Sequence, residues 1–251
     1  MLSIEHSELK SQVTAACLEV FPEAQAVVIW GGAATVDFDP ARSDVDVIIE
    51  IDASIRQESI LSERLKKLVL TTKFCRLDPF LYLTENPSVD PLEFIAPFGF
   101  YKANAFIPYM IQNQNEVSFG ESRLLPRLPV KTLASTLFAH LPQVMLSLRR
   151  LRMDAQVETS ASEIISKHKP GILVALRTLY AFDQSKIGSK ADALAHLTRK
   201  FPEYQPLADL LKLSPEGLQQ ASDALTPEGI LAFSKDMAEA LETAKRRETV
   251  H

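Results

Sequence analysis

The chain has 251 residues, 46% hydrophobic and 24% charged, a balance that fits a soluble globular protein built as one large domain or two modest ones. The formal net charge of −5 argues against an extended nucleic-acid surface, which needs a basic face. No apolar run approaches the roughly 18 residues of a membrane span, so no membrane partner is expected. A small-molecule partner is favoured over a polynucleotide. The opening stretch MLSIEHSELK has no positive region followed by an apolar run, so no secretory signal is read there. Cys17 and Cys75 are expected as core residues, and a cytoplasmic protein is the natural inference.

Ser7–Val20 places Leu9, Val13, Cys17 and Val20 on one helical face. Residues 26–30 (AVVIW) form an apolar run that stops at Gly31-Gly32, as a buried strand does. Val45–Ile51 predicts a second strand. Ile55, Leu61, Leu65 and Leu68 predict an amphipathic helix, and Phe74–Leu83 a third strand. Residues 86–126, rich in proline and aromatics, give no clear pattern of elements.

Beyond about residue 125 strand-like runs disappear and helix starts take over. Ser214-Pro215-Glu216 and Thr226-Pro227-Glu228 each set a hydroxyl at an N-cap, proline at the first helical position and an acid behind it. Ser189 with Asp192 gives a capping-box pattern immediately after Gly188, a plausible terminator of the preceding helix. Helices are expected at Val130–Met153, Ile172–Asp183, Lys190–Lys200 and Ile230–Arg247. The fold class expected is α+β: a domain with a mixed sheet at 1–125, then an all-α helical bundle at 126–251.

The chemistry concentrates in IWGGAATVDFDPARSDVDVII, residues 29–49. On a strand, alternate side chains share a face, so Asp44 and Asp46 project together, about 6.6 Å apart along the chain. Two carboxylates so placed are hard oxygen ligands of the kind magnesium takes, and a metal offsets the cost of holding them among Val45, Val47, Ile48 and Ile49. Gly31 and Gly32 would let backbone N–H groups approach a triphosphate closely. A third acid, Asp78, lies on the next strand. If the two strands are neighbours, it can accept a proton from an attacking hydroxyl or share a metal.

Gly-Gly, then Ser-Asp-Val-Asp, then an acid on the next strand resembles the polymerase-β-type nucleotidyltransferases. Residues 171–206 (GILVALRTLYAFDQSKIGSKADALAHLTRKFPEYQP) resemble the helical C-terminal domain of the streptomycin/spectinomycin adenylyltransferases within that superfamily. The resemblance implies a polymerase-β-like N-terminal domain with a mixed sheet, followed by a helical domain. It implies Asp44 and Asp46 as magnesium ligands, and Asp78 as general base or a third metal ligand. It also implies Gly31, Gly32 and Ser43 at the nucleotide phosphates, with Arg177 and Lys190 of the helical domain reaching the triphosphate. The donor would be ATP, the transferred group AMP, and the acceptor a hydroxyl of an unidentified small molecule.

Three departures shape the expectations. Gly32 stands where that family has serine, and Pro79, directly after Asp78, predicts an irregular or edge strand there. Lys167-His168-Lys169 stands where the resistance enzymes place acids, so a basic wall is expected that disfavours a cationic aminoglycoside. Two like charges at about 4 Å repel by about 4 kcal/mol at an effective dielectric of about 20. Two other readings stay open: an antitoxin-like enzyme that adenylylates protein hydroxyls, and a nucleotide-binding module whose catalysis has decayed. His6, His140, His196 and His251 lack metal-ligand spacing.

Overall fold

A computed structural model describes residues 6–34, 38, 44–54, 58–84, 93–102, 106–158, 160–213, 217 and 225–249. They divide into two compact units, Met1–Lys131 and Thr132–His251. Among the described residues no helix is long and apolar enough to cross a membrane. Ser43 and Ser214-Pro215-Glu216 lie outside the described residues.

The first unit starts with α1 (His6–Val20), β1 (Ala26–Trp30) and a 3-10 turn at Gly31–Ala34. It continues with β2 (Asp44–Asp52), α2 (Glu58–Thr71), β3 (Arg76–Thr84), β4 (Glu93–Ala96) and β5 (Gly99–Lys102). It closes with α3 (Phe106–Asn113), β6 (Asn115–Gly120) and a 3-10 turn at Leu125–Arg127. The described strands form a six-stranded sheet in the order β5-β4-β3-β2-β1-β6. Only β2 and β3 run parallel; the other neighbours are antiparallel, so the sheet is mixed, as expected. A parallel pair needs a long crossover, and α2 supplies it.

The strand period of two sorts the sheet into unlike faces. Val27, Ile29, Val45, Val47, Ile49, Ile51, Leu77 and Leu81 point to one side, where Leu9, Val13 and Cys17 of α1 and Leu61, Leu65 and Leu68 of α2 meet them. Each fully buried Leu or Ile in that layer contributes about 1.5–3 kcal/mol. Burial raises the thiol pKa of Cys17 to about 12 and of Cys75 to about 11; Cys17 is a core residue as expected, whereas Cys75 is half-buried against the core. The alternate residues of β2 (Asp44, Asp46, Ile48 and Glu50) therefore face the other way, with Asp78, Phe80 and Tyr82 of β3.

Two features of this sheet were not expected. β4, β5 and β6 all come from the segment that showed no pattern; β6 pairs along β1 with its side chains largely exposed, so no apolar alternation marks it. And β3 runs through Pro79 without a break, its register with β2 intact from Asp44↔Arg76 to Asp52↔Thr84. The irregularity expected there is absent, while the alternative of an edge holds, since among the described residues Pro79 has no paired residue on the β4 side. Every second residue of a strand turns its N–H away from a given neighbour, and β4 joins β3 only at Leu81↔Ile95, so the missing donor at Pro79 breaks no paired ladder.

Glu50 is fully buried, and its carboxylate accepts hydrogen bonds from Ser122 Oγ at 2.5 Å, Arg123 N–H at 2.8 Å and Leu124 N–H at 3.3 Å. It thereby anchors the segment that follows β6. Beside it Arg127 donates to the hydroxyl of buried Tyr82 at 2.5 Å. Burial pushes the Glu50 carboxyl pKa up, and the three donors act against that shift.

The second unit carries α4 (Leu133–Val157), α5 (Ala161–Gln184), α6 (Lys190–Lys200), α7 (Gln205–Lys212) and α8 (Pro227–Thr249). Leu141, Val144, Leu148 and Leu151 of α4 are buried where α4, α5 and α8 pack together. Ile165, Ile172, Leu176 and Leu179 of α5 join them with Phe233, Met237 and Leu241 of α8. The three- and four-residue spacings are those of one helical stripe. Hydroxyl caps hold the starts: Thr132 accepts from Ser135 N–H at 3.1 Å, Ser189 forms a full capping box with Asp192, and Thr226 accepts from Gly229 N–H at 3.2 Å.

Helix α5 begins eleven residues before the expected Ile172, at Ala161, and passes through Pro170. An interior proline costs about 3 kcal/mol. The buried Ile164 and Ile165 on one side of it and Ile172 and Leu173 on the other offset that cost. Its terminator is Ser185, in the left-handed region at φ 51°, and not Gly188. Gly188 serves packing: a Cβ there would lie 2.5 Å from Cε1 of Tyr180.

Glu50→Ala leaves the N–H groups of Arg123 and Leu124 without their acceptor, at about 1–3 kcal/mol for a buried group, so urea unfolding is expected to show a loss of about 2–3 kcal/mol. Because folding raises the Glu50 pKa, its contribution is fullest below the unfolded pKa and falls as pH rises through the folded value. Glu50→Gln, which keeps an acceptor and cannot ionise, is expected to lose less than alanine and to flatten that pH dependence. An alanine variant as stable as the parent would show that the anchor is idle.

Candidate functional site

The parallel register sets Asp46 directly opposite Asp78 and Asp44 opposite Arg76. All four lie on the sheet face away from α1 and α2, near the starts of β2 and β3. Asp44 and Asp46 are half-buried while Val45 and Val47 between and beside them are buried, so the strand alternation itself lifts the acids out of the core. On its other side Asp46 is paired with Trp30 of β1. Trp30, Ile48, Phe80 and Phe94, with Ile107 and Ile111 of α3, line an apolar recess beside the acids.

Asp78 feels both burial and the charge of Asp44. Asp78 lies at the surface beside packed side chains, and partial loss of water raises its carboxyl pKa, with the charge of Asp44 adding to the rise. Asp44 is held by Arg76, whose Nε stands 3.0 Å from Asp44 Oδ1. Among the described residues no three His, Cys, Asp or Glu side chains converge into a ready-made metal cage. The donor chemistry nonetheless fits a divalent ion: hard carboxylate oxygens on adjacent strands, whose mutual repulsion a cation relieves. Asp44 and Asp46 are the pair that would hold it, with Asp78 beside them.

Gly31 requires a correction. Its N–H was expected to approach a phosphate, but it donates to Gln114 O at 2.9 Å. The glycine is needed for space and conformation: φ is +68°, and a Cβ would lie 2.9 Å from Asp46 Oδ2. Gly31 therefore makes room for the Asp46 carboxylate. Gly32, next to it in the 3-10 turn, is exposed and has the ring of Phe38 as its nearest neighbour.

In the second unit Arg177 Nε donates to Gly188 O at 3.1 Å, which fixes the turn before α6, and Lys190 is the first residue of that helix. Lys169 belongs to the same neighbourhood. Burial and then the charge of Lys190 lower its pKa, and its ammonium donates to Leu213 O at 2.6 Å. Lys167 and His168 do not stand as a free basic wall. Lys167 Nζ lies 2.6 Å and His168 Nε2 2.7 Å from Asp154 Oδ2 on α4. That carboxylate pairs Lys167 and His168 within the helical unit, and Lys169 stays outside the pairing, beside Lys190.

No family model matches the chain, and no curated protein matches it in sequence. Among solved structures it is similar to spectinomycin adenyltransferase AAD(9) from Enterococcus faecialis, crystallised with ATP and spectinomycin. The TM-score is 0.60, the sequence identity 12%, and the match covers 93% of this chain and 98% of the other. The chain has that enzyme's fold. A mixed-sheet fold with a helical C-terminal part is thus shared along nearly the whole length, at an identity that carries the fold alone.

Arg76 was not singled out in the sequence, although Arg-Leu-Asp at 76–78 puts it on the same strand face as Asp78. That it meets Asp44 depends on the parallel register, which the sequence does not state.

Folding raises the Asp78 pKa, so its contribution to the metal-free protein is fully present below the unfolded pKa and is lost as pH rises through the folded value. Asp78→Asn removes that loss. Thermal melts in chelator are expected to show the variant gaining on the parent as pH rises from about 4 to 8, with no difference at the acid end. A variant that is less stable at pH 8 than at pH 4, relative to the parent, would contradict the crowding of charge described above.

Proposed function

We propose that the chain is a magnesium-dependent nucleotidyltransferase that moves AMP from ATP to a hydroxyl of a small-molecule acceptor. The observation that carries this reading is Asp46 opposite Asp78, with Asp44 on the same face, in a fold shared with an adenylyltransferase. Asp44 and Asp46 would hold the magnesium, which supplies charge neutralisation at the α-phosphate and at the departing pyrophosphate.

The residues of the chain then act as follows. Asp78, with its raised pKa, takes the proton of the acceptor hydroxyl. The hydroxyl oxygen forms a bond to the α-phosphorus, the bond from that phosphorus to the α–β bridging oxygen breaks, and pyrophosphate leaves with the electron pair. Trp30, Phe80 and the apolar recess limit water beside the acids, which strengthens each electrostatic contact there. By the resemblance, Gly32, Ser43, Arg177 and Lys190 are read as phosphate contacts, while Gly31 keeps space for Asp46.

Pyrophosphate release from ATP and magnesium, assayed over a panel of polyhydroxylated compounds that includes spectinomycin and streptomycin, tests the reaction and names the acceptor class. ATP at 100 times its Kd is expected to raise stability by about 2.7 kcal/mol in magnesium. Asp46→Asn is expected to lose the chelator-sensitive part of that shift and to lower turnover by at least about 100-fold, the cost of about 2.7 kcal/mol of transition-state stabilisation. An ATP shift of the same size in chelator would sink the metal-dependent reading.

A further inference from the structure

Within the proposed site, one ion pair joins a residue the reaction does not use to one that it does. Arg76 heads β3 and Asp44 heads β2, and the register sets them opposite on the same face. The contact runs from Nε to Oδ1 at 3.0 Å, with the arginine side chain 78% exposed and the aspartate 43% exposed. An exposed pair of this kind contributes little, so a stronger ligand for Asp44 exchanges it easily. A divalent ion shared between Asp44 and Asp46 is such a ligand, because it attracts two carboxylates at once.

We propose that Arg76 is a placeholder cation for Asp44: it balances that carboxylate in the metal-free protein, is displaced when the metal binds, and then contacts a phosphate of the incoming nucleotide. The proposal rests on the metal-site reading given above.

Three observations converge on it. Arg76 is two residues from Asp78, so its guanidinium, once released, stays on the face that carries all three acids. Its high exposure leaves the side chain room to swing without disturbing the core. And a planar guanidinium presents its donors as a fork that matches phosphate oxygens, so the group that leaves a carboxylate can turn to a phosphate unchanged. The exchange also orders events, since the phosphate contact becomes available only after the metal has taken Asp44. Arg76 is thus a positioning residue for metal and nucleotide, and takes no part in bond making.

The test is a Mn2+ titration followed by electron paramagnetic resonance on the full chain, without nucleotide, for the parent, Arg76→Ala and Asp44→Asn. Calorimetric titration with ATP in saturating Mn2+ follows, and melts confirm that each variant folds. Arg76→Ala is expected to bind Mn2+ about threefold to fivefold more tightly, since the competing pair is gone, and to bind ATP about tenfold more weakly. Arg76→Lys is expected to restore the parent's Mn2+ affinity but only part of its ATP affinity, because an ammonium replaces the charge and not the fork. Unchanged Mn2+ affinity in Arg76→Ala overturns the placeholder role, and tighter Mn2+ with unchanged ATP affinity overturns the transfer to phosphate. If the parent shows no Mn2+ binding that Asp44→Asn removes, the metal-site reading fails and the inference falls with it. If Asp44→Asn removes the binding while Arg76→Ala changes nothing, the metal site stands and this inference alone is lost.

Discussion

The parallel pairing of β2 with β3 fixes more of this protein than any other contact. It runs unbroken over nine residue pairs, from Asp44↔Arg76 to Asp52↔Thr84, and its register sets which acids of the candidate site meet. A slip of one residue would send Asp78 to the face occupied by α1 and α2 and bring Leu77 or Pro79 out in its place. That slip is blocked by the apolar residues on the helix side. Val45, Val47, Ile49, Ile51, Leu77 and Leu81 are all buried there, so the hydrophobic layer that stabilises the fold also aligns the acids.

The two sheet faces divide the work. The helix-covered face of β1, β2 and β3 is apolar and gives stability. The other is graded along the strands: acids at the start of β2, then the Trp30, Ile48, Phe80 and Phe94 layer, then buried Glu50 holding the Ser122 hydroxyl and the Arg123 and Leu124 N–H groups. Carboxylates at the two ends of one strand thus meet opposite fates. Asp46 stays half open beside a glycine that makes room for it, whereas Glu50 loses its water and gains three donors.

The helical unit arranges its charges by local pairing. Asp154 gathers Lys167 and His168, and Asp183 gathers His196, Lys200 and Arg247, so these side chains pair between helices. The turn before α6 is different. Arg177 fixes Gly188, Lys190 opens the helix, and Lys169 stands close enough to Lys190 for its pKa to fall. Like charges held together at a helix start favour an anion there.

Local chemistry made several elements legible in the sequence. AVVIW at 26–30 and the run 190–200 take the elements their patterns predict, because an apolar run closed by Gly-Gly and a capping box are short-range signals. The Asp44/Asp46 shared face was legible for the same reason, since strand alternation is a property of the backbone alone. The tertiary structure decided what depends on a distant partner. It placed Asp78 opposite Asp46 and Arg76 against Asp44, made Gly31 the space for a carboxylate, and set Lys167 and His168 against Asp154. It also carried α5 through Pro170, where burial on both sides outweighs a local penalty. Sequence fixes which side chains share a face; only the packed sheet and bundle fix which face meets which, because registry and ion pairing are set by contacts tens of residues apart.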